Sequence, residues 1–398
     1  MNRHLLIWAF ALGLAASAWC EVPATFFGMT INRAPVDEKM WPDVPIGAIR
    51  LWDTGTSWRA MNPAPGVYEW SKLDQWFRIA KRHKVDILYT FGRTPDWASS
   101  NLQAECSYGK GQCAPPRDMR DWDDFVRALA THAAGRIKNW EIWNEANRPE
   151  SWTGSIPQLV DMAKRAKAII QAIDPKAVIL TPSATGKEGP EWLSAYLDGK
   201  GGDSADVIAF HGYCGTDPEN IAVLLEKYRQ VVASHGLEKK PLWDTEASWG
   251  KSEKLPGKDD RAAYLATSYL LHLSSGIERF YWYAWDNNEW GTLARGYQVE
   301  LAGDALRQIA QVMQSATLDK PCSKSADGVW SCGFTRRNAG KILATWSQQA
   351  RTIAIPGGFT RVSNLAGQQG PLKGTVALTS SPVFLLQKER EPLAEVKR

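Results

Sequence analysis

The sequence predicts an α/β fold: an eight-stranded (β/α)8 TIM barrel carrying a small C-terminal antiparallel β-domain. From position 25 to 286, short apolar runs alternate with amphipathic stretches, the pattern of repeated βα units. Eight such runs fit a barrel, which typically takes about 250 residues. A doubly wound sheet would more often show a Gly-rich phosphate loop after its first strand, and this chain has none there. With 398 residues, 44% of them hydrophobic, the chain is long enough for one large domain and one small one.

The N-terminus reads as a secretion signal over residues 1–18. Arg3 and His4 precede an apolar run from Leu5 to Leu14, and Ala16-Ser17-Ala18 fits a small-x-small cleavage site. The run is short for a membrane span, and no other segment is apolar enough, so membrane insertion is not expected. Trp19 before Cys20 departs from the small residue that lipoprotein signals use. An exported protein, periplasmic or extracellular, is expected.

The strand candidates are 26–31, 47–52, 86–91, 138–143, 178–181, 207–211, 242–246 and 279–285. Between them lie helix candidates at 71–83, 121–134, 157–173, 218–235 and 259–275, and 301–315 closes the set within a barrel domain spanning 21–316. Asp121 and Asp259 stand where N-caps or acidic first turns belong. After Ala316 the runs become short, β-branched and separated by Gly, Asn or Pro. That texture predicts the β-domain, 317–388, packed against the barrel; the charged tail 389–398 is expected to be disordered. Export permits disulfides. Cys106 and Cys113 bracket one loop and Cys322 and Cys332 bracket a turn, while Cys20 and Cys214 fall at opposite ends of the barrel and are expected unpaired.

Composition narrows the function. The net charge of +4 lies in no basic block, so nucleic acid is not suggested. The 20 Trp are the outlier, and many fall at or just beyond strand ends. Half or more would be core packing, but indole faces also stack on sugar rings. Two segments deliver a carboxylate at the end of an apolar strand between tryptophans, namely Trp140-Glu141-Ile142-Trp143-Asn144-Glu145 and Trp243-Asp244-Thr245-Glu246. In a barrel, side chains at the C-terminal ends of strands gather at one mouth, and three βα units separate the fourth strand from the seventh by about 90–100 positions. Glu145 and Glu246 are 101 positions apart. Paired carboxylates at such a mouth point to cleavage of a glycosidic bond.

These motifs resemble those of the clan A retaining glycoside hydrolases, and within that clan the chain is most similar to family 39. Arg50-Leu51-Trp52-Asp53, the stretch Pro63 to Trp70 with Leu73-Asp74, and His211-Gly212-Tyr213 carry the likeness further, over roughly residues 28 to 290. Ala146 stands where many relatives have Pro. The resemblance implies a double displacement with Glu145 as general acid/base and Glu246 as nucleophile. It also implies that Arg50 holds Glu246 anionic and Asn144 bonds the sugar 2-hydroxyl. Tyr213 would donate to Glu246, His211 would touch substrate or orient Tyr213, and Trp285 would form the floor beneath the sugar.

Each role has a plainer competitor. Glu145 could cap a helix, and Asp244 shares the strand face of Glu246 by two-residue alternation. Arg50 could serve interior acids alone, with the deeper Glu141 as one of them, and His211 could be core. Five His follow the leader with no closely spaced pair at a strand end, so neither a metal nor another cofactor is expected. The expected substrate is a polysaccharide or oligosaccharide, and the expected state a monomer. The long, disulfide-tied loop 92–120 and the abundant Trp favour endo cleavage of a polymer. The alternatives are an exo-acting, xylosidase-like β-glycosidase with that loop closing a pocket, or a catalytically weak carbohydrate-binding protein. Capture of the intermediate by a sugar instead of water stays open.

Overall fold

The computed structural model describes residues 21–336 and 340–387, so the expected leader, Cys20 and the charged tail lie outside the described residues. Eight parallel strands form one sheet: β1 (Phe27–Met29), β2 (Ala48–Leu51), β3 (Asp86–Thr90), β4 (Asn139–Glu141), β5 (Val178–Leu180), β6 (Ile208–Phe210), β7 (Leu242–Ala247) and β8 (Arg279–Trp282). Their order is β5-β4-β3-β2-β1-β8-β7-β6, and the isolated parallel bridges Leu180–Val207 and Thr185–His211 bring the two ends together. The helices are α1 (Trp58–Met61), α2 (Ser71–His83), α3 (Met119–Ala133), α4 (Ile156–Ile173), α5 (Gly189–Asp198), α6 (Asn220–Ser234), α7 (Lys258–Ser274) and α8 (Leu301–Met313).

The expected (β/α)8 architecture is therefore present, with two departures. The connection from β1 to β2 carries a single 3-10 turn, Glu38–Met40, in place of an α-helix. Helix α5, for which no candidate was expected, fills the β5–β6 connection, opening with Pro190 in its first turn, where a missing N–H costs nothing. Several strands also stop short of the apolar runs that announced them: β4 ends at Glu141 and β8 at Trp282. The residues beyond them are buried as loops over the barrel mouth.

Two-residue alternation stacks the barrel interior in layers. Ala48, Leu88, Leu180, Val207, Ala209, Trp243 and Tyr281 make one apolar cluster. Two positions further along their strands come Arg50, Thr90 and Thr245, joined by Glu141 of β4, all buried. A polar layer thus sits on an apolar plug that shuts water out from below.

Past a two-stranded ribbon, β9 (Ala294–Arg295) and β10 (Gln298–Val299), and α8, the chain forms the C-terminal β-module. Its main sheet joins β11 (Ala316–Lys324), β12 (Val329–Arg336), β13 (Gly340–Ser347), β15 (Phe359–Ser363), β16 (Gln369–Pro371) and β18 (Val383–Gln387). Beside it lies the pair β14 (Arg351–Ala354) and β17 (Thr375–Leu378). Alternate residues Cys332, Phe334, Ile342, Ala344 and Trp346 are continuous with the barrel core, so the module is docked onto the barrel. The disulfides Cys106–Cys113 and Cys322–Cys332 are formed, and Cys214 is free.

Gly28 lets the plug close: a Cβ there would lie 2.4 Å from the Tyr281 ring. Gly28→Ala should therefore destabilise the fold by about 1–3 kcal/mol through overpacking. Urea unfolding would measure it, and an unchanged midpoint would refute this account of the layer.

Candidate active site

Arg50 rises from β2 into the centre of the polar layer with no exposure to solvent. Its Nε donates to Glu141 Oε2 at 2.9 Å, Nη1 to Glu246 Oε2 at 2.5 Å, and Nη2 to Asn144 Oδ1 at 2.7 Å; Nη2 also lies 3.3 Å from His211 Nε2. Burial works against the charge of Arg50, but Glu141 and Glu246 outweigh it and hold its pKa above the usual value. Glu141 is the structural acid. Its Oε2 also accepts from Thr90 and its Oε1 from Thr245, both at 2.6 Å. Burial raises its pKa, yet Arg50, His211 and the two hydroxyls hold the carboxyl below the ordinary range.

Glu246 reaches this layer through a bulge. Asp244 pairs with Phe280 and Ala247 with Trp282, so Thr245 and Glu246 together face one residue of β8. Strict alternation would put Glu246 on the outer face with Asp244; the extra residue turns it inward after Thr245. Asp244 points the other way, to His272 of α7 at 2.7 Å, and its Oδ1 accepts the N–H of Gly212 and of Glu246. The shared face expected for Asp244 and Glu246 is thus overturned by the bulge. A Cβ on Gly212 would lie 2.1 Å from Asp244 Oδ2, which explains glycine there.

Glu145 lies four residues past the end of β4 in a left-handed turn with φ of 48°. Its side chain is 25% exposed against 10% for Glu246, so of the two it is the one open to water. His211 Nδ1 lies 3.1 Å from Glu145 Oε1, and Tyr213 donates to Glu246 Oε1 at 2.9 Å. Carboxylate and imidazole atoms of Glu145, His211 and Glu246 all fall within 4.8 Å of one another. That triangle has the donor set of a metal site, but the Arg50 guanidinium already holds Glu246 and would repel a cation there.

Groups this close hold their protons in common. Taken singly, burial and then the charge of Glu145 push Glu246 up against His211, Arg50 and Tyr213, while His211 outweighs burial at Glu145 and holds it down. Hydrogen-bond directions assign the charge differently, and they decide the matter. Arg50 can only donate, and Tyr213 donates to the other oxygen, so both oxygens of Glu246 accept and it stays anionic. Facing Arg50, His211 Nε2 must accept as well, which leaves the imidazole proton on Nδ1, aimed at Glu145. The anion at Glu246 works against a second charge at Glu145, but donation from His211 prevails and holds the Glu145 carboxyl below the ordinary range.

Arg50, Asn144, Glu145, His211, Tyr213 and Glu246 are thereby brought together. Trp285 is not among them. The strand has ended at Trp282, and Trp285 is built into the core, 2% exposed, with its ring edge over Gly303 of α8. The aromatic groups at the mouth are Trp52, Tyr108, Tyr283 and Trp290, the last packed edge-on to Tyr213. Thr90 and Thr245 were missed, although alternation two positions beyond Leu88 and Trp243 is the signal that finds them; Tyr108 had no such signal.

A model of the glycosyl hydrolase catalytic core matches residues 65–312 of the chain. A β-xylosidase of Geobacillus stearothermophilus is 27% identical over 141 residues, a match covering 32% of this chain and 27% of that relative. A family 39 glycoside hydrolase from Bacteroides cellulosilyticus WH2 superposes with a TM-score of 0.73 at 18% identity, covering 92% of this chain and 81% of that one. A monomeric β-xylosidase from Caulobacter crescentus CB15 gives 0.69 at 13% identity, with 93% and 97% covered.

The ion-pair layer yields a pH-dependent prediction. Arg50→Met leaves Glu141 and Glu246 buried without their cation and should cost about 3–5 kcal/mol at pH 7. In the native protein the lowered Glu141 pKa contributes stability that is present above the ordinary 4.5 and lost as pH falls through the folded value. Without Arg50, burial raises that pKa instead, so protonation relieves the variant. The gap between the two proteins in urea unfolding should shrink as pH falls from 7 toward 4; a constant gap would count against the pairing.

Proposed function

This chain belongs to the glycosyl hydrolase catalytic-core family, and from that premise we propose that it hydrolyses β-glycosidic bonds with retention through a covalent glycosyl-enzyme intermediate. The observation that carries the reading is the unequal surroundings of one close carboxyl pair. Arg50 and Tyr213 donate to Glu246, whereas Glu145 faces His211 and water. Retaining hydrolases hold their carboxyls about 5–5.5 Å apart, with one as nucleophile, and the 4.8 Å triangle suits that arrangement better than the wider gap of inverting enzymes.

In the first step a Glu246 oxygen attacks the anomeric carbon. The bond from that carbon to the leaving oxygen breaks, and the leaving oxygen takes the Glu145 proton. In the second, Glu145, now a carboxylate, takes a proton from water; the water oxygen bonds the anomeric carbon, and the ester to Glu246 breaks. Asn144 supports both steps: its Oδ1 is fixed by Arg50, which turns its amide donor free for a sugar hydroxyl. The fully satisfied, water-excluded layer under Glu246 keeps these groups in place without reorganisation.

The substrate we assign is an exported or environmental β-linked polysaccharide or its oligosaccharides. Two disulfides support export. The named activity of the β-xylosidase relative makes β-linked xylose the first sugar to try. Of internal and terminal cleavage, the loop after β3 speaks for the terminal mode, because it brings Tyr108 down against Trp52 at the mouth instead of flanking an open groove.

Kinetics on a panel of aryl β-glycosides test the roles. Glu246→Gln should lose roughly four to six orders of magnitude in kcat, as nucleophile variants do. Glu145→Ala should keep turnover of substrates with good leaving groups and be accelerated by azide, giving a β-glycosyl azide. An α-azide from Glu145→Ala, or near-normal turnover by Glu246→Gln, would reverse or reject the assignment.

A further inference from the structure

Asp53, two positions past the end of β2, holds a backbone conformation unusual for a side-chain-bearing residue, with φ of 58°. Its Oδ2 accepts two phenols at once, from Tyr283 just beyond β8 at 2.8 Å and from Tyr108 of the β3–α3 loop at 3.1 Å. Its Oδ1 has no partner among the described residues. Tyr108 is fixed from several sides. Its hydroxyl accepts the Trp52 indole N–H at 3.0 Å, the Arg93 guanidinium lies 4.6 Å from its ring centre, and its carbonyl accepts from Gln112 at 2.6 Å. The Cys106–Cys113 disulfide encloses this stretch. Even so, Tyr108 is 38% exposed, an aromatic ring held rigidly where a ligand can meet it. The Arg50 guanidinium lies 5.9 Å from the Trp52 ring centre, and Trp290, packed against Trp52 and Tyr283, meets the Tyr213 ring edge-on at 5.9 Å, which places the cluster beside the carboxyl pair.

The chemistry gives this cluster a direction. A leaving oxygen must lie against Glu145, which follows β4, so the sugar bearing the anomeric carbon extends to the other side of the pair. That side is bounded by the ends of β2 and β8, where Asp53 and Tyr283 stand. A ring there meets the Asp53 carboxylate, whose Oδ2 is taken by the two phenols and whose Oδ1 is an acceptor suited to the adjacent hydroxyls of a pyranose, and beyond it the Tyr108 wall.

Resting on the retaining reading above, we infer that Tyr108, Asp53 and Tyr283 close the glycone side one unit from Glu246, so that the enzyme removes single β-linked pyranoses from a non-reducing end. Asp53 binds the hydroxyls of that terminal unit. Tyr108, carried on its disulfide-tied loop, excludes a further sugar.

First-turnover products from β-1,4-xylohexaose, cellohexaose, mannohexaose and laminarihexaose, sized by mass spectrometry, test this. Wild type should yield the pentaose and one monosaccharide. Tyr108→Phe keeps the ring and should keep that pattern, while Tyr108→Ala should raise the share of di- and trisaccharides at least ~10-fold, about 1.4 kcal/mol in relative barrier. Asp53→Asn, isosteric and still able to accept from both phenols, should raise KM for the cleaved hexaose far more than it lowers kcat. Thermal unfolding of each variant guards against simple misfolding. Di- and trisaccharides from wild type, or one pattern shared by wild type and Tyr108→Ala, would overturn the inference while leaving the glycosidase intact. No cleavage of any hexaose, together with no binding of any by Glu246→Gln in calorimetry, would overturn both.

Discussion

A single buried guanidinium organises this molecule. Arg50 has five N–H donors and no acceptor, and its neighbours in the barrel supply carboxylate, amide and imidazole acceptors around it. Burying that charge is tolerable only because Glu141 compensates it and is itself saturated by Thr90 and Thr245. The plug of Leu88, Trp243 and Tyr281 below excludes water, which strengthens every contact above it. Conversely, the direction of each Arg50 hydrogen bond dictates what its partners do: Glu246 must accept, Asn144 must turn its amide donor outward, and His211 must carry its proton toward Glu145. Proton placement in the site thus follows from one residue that cannot accept.

The position of Glu246 depends on a second device, the bulge in β7. A regular strand at these positions would send Asp244 and Glu246 to one face. The extra residue instead divides them, with Glu246 to the mouth and Asp244 to α7. Asp244 then collects the N–H groups of Gly212 and Glu246 on one oxygen, fastening the loop that carries His211 and Tyr213 to the bulge that carries Glu246. The geometry of the site across β6 and β7 is therefore set partly from outside the barrel.

Much of this is legible in the sequence. The strand periodicity and the spacing of Glu145 from Glu246 pointed to the barrel and its mouth. The resemblance carried by Arg50-Leu51-Trp52-Asp53 implied that Arg50 would meet Glu246, and the plainer reading gave it interior acids such as Glu141; it serves both. Three things were not legible, each for a physical reason. A bulge leaves no mark on composition, so alternation misassigned the face of Asp244 relative to Glu246. The end of β8 is set by pairing with β1 and β7, not by hydrophobicity, so the strand read to 285 stops at Trp282, and the floor that the resemblance implied for Trp285 gives way to packing against α8. Tyr108 comes from a loop without period, and its place beside Asp53 follows from the disulfide, Arg93 and Trp52 together.

The C-terminal module, which supplies none of the described residues around the carboxyl pair, nonetheless bears on it through α7. That helix is buried without a break from Ala262 to His272, a pattern that one-sided packing on a barrel cannot produce. Strand β11 covers its other side, where the Cys322 N–H donates to Ser274 Oγ at 2.8 Å. His272 thereby becomes an interior residue, stacked on Phe280 with ring centres 3.9 Å apart, and its bond to Asp244 is kept from water. Since Asp244 anchors the N–H of Glu246, the dryness that the module imposes on α7 is transmitted, through two side chains, to the backbone of Glu246.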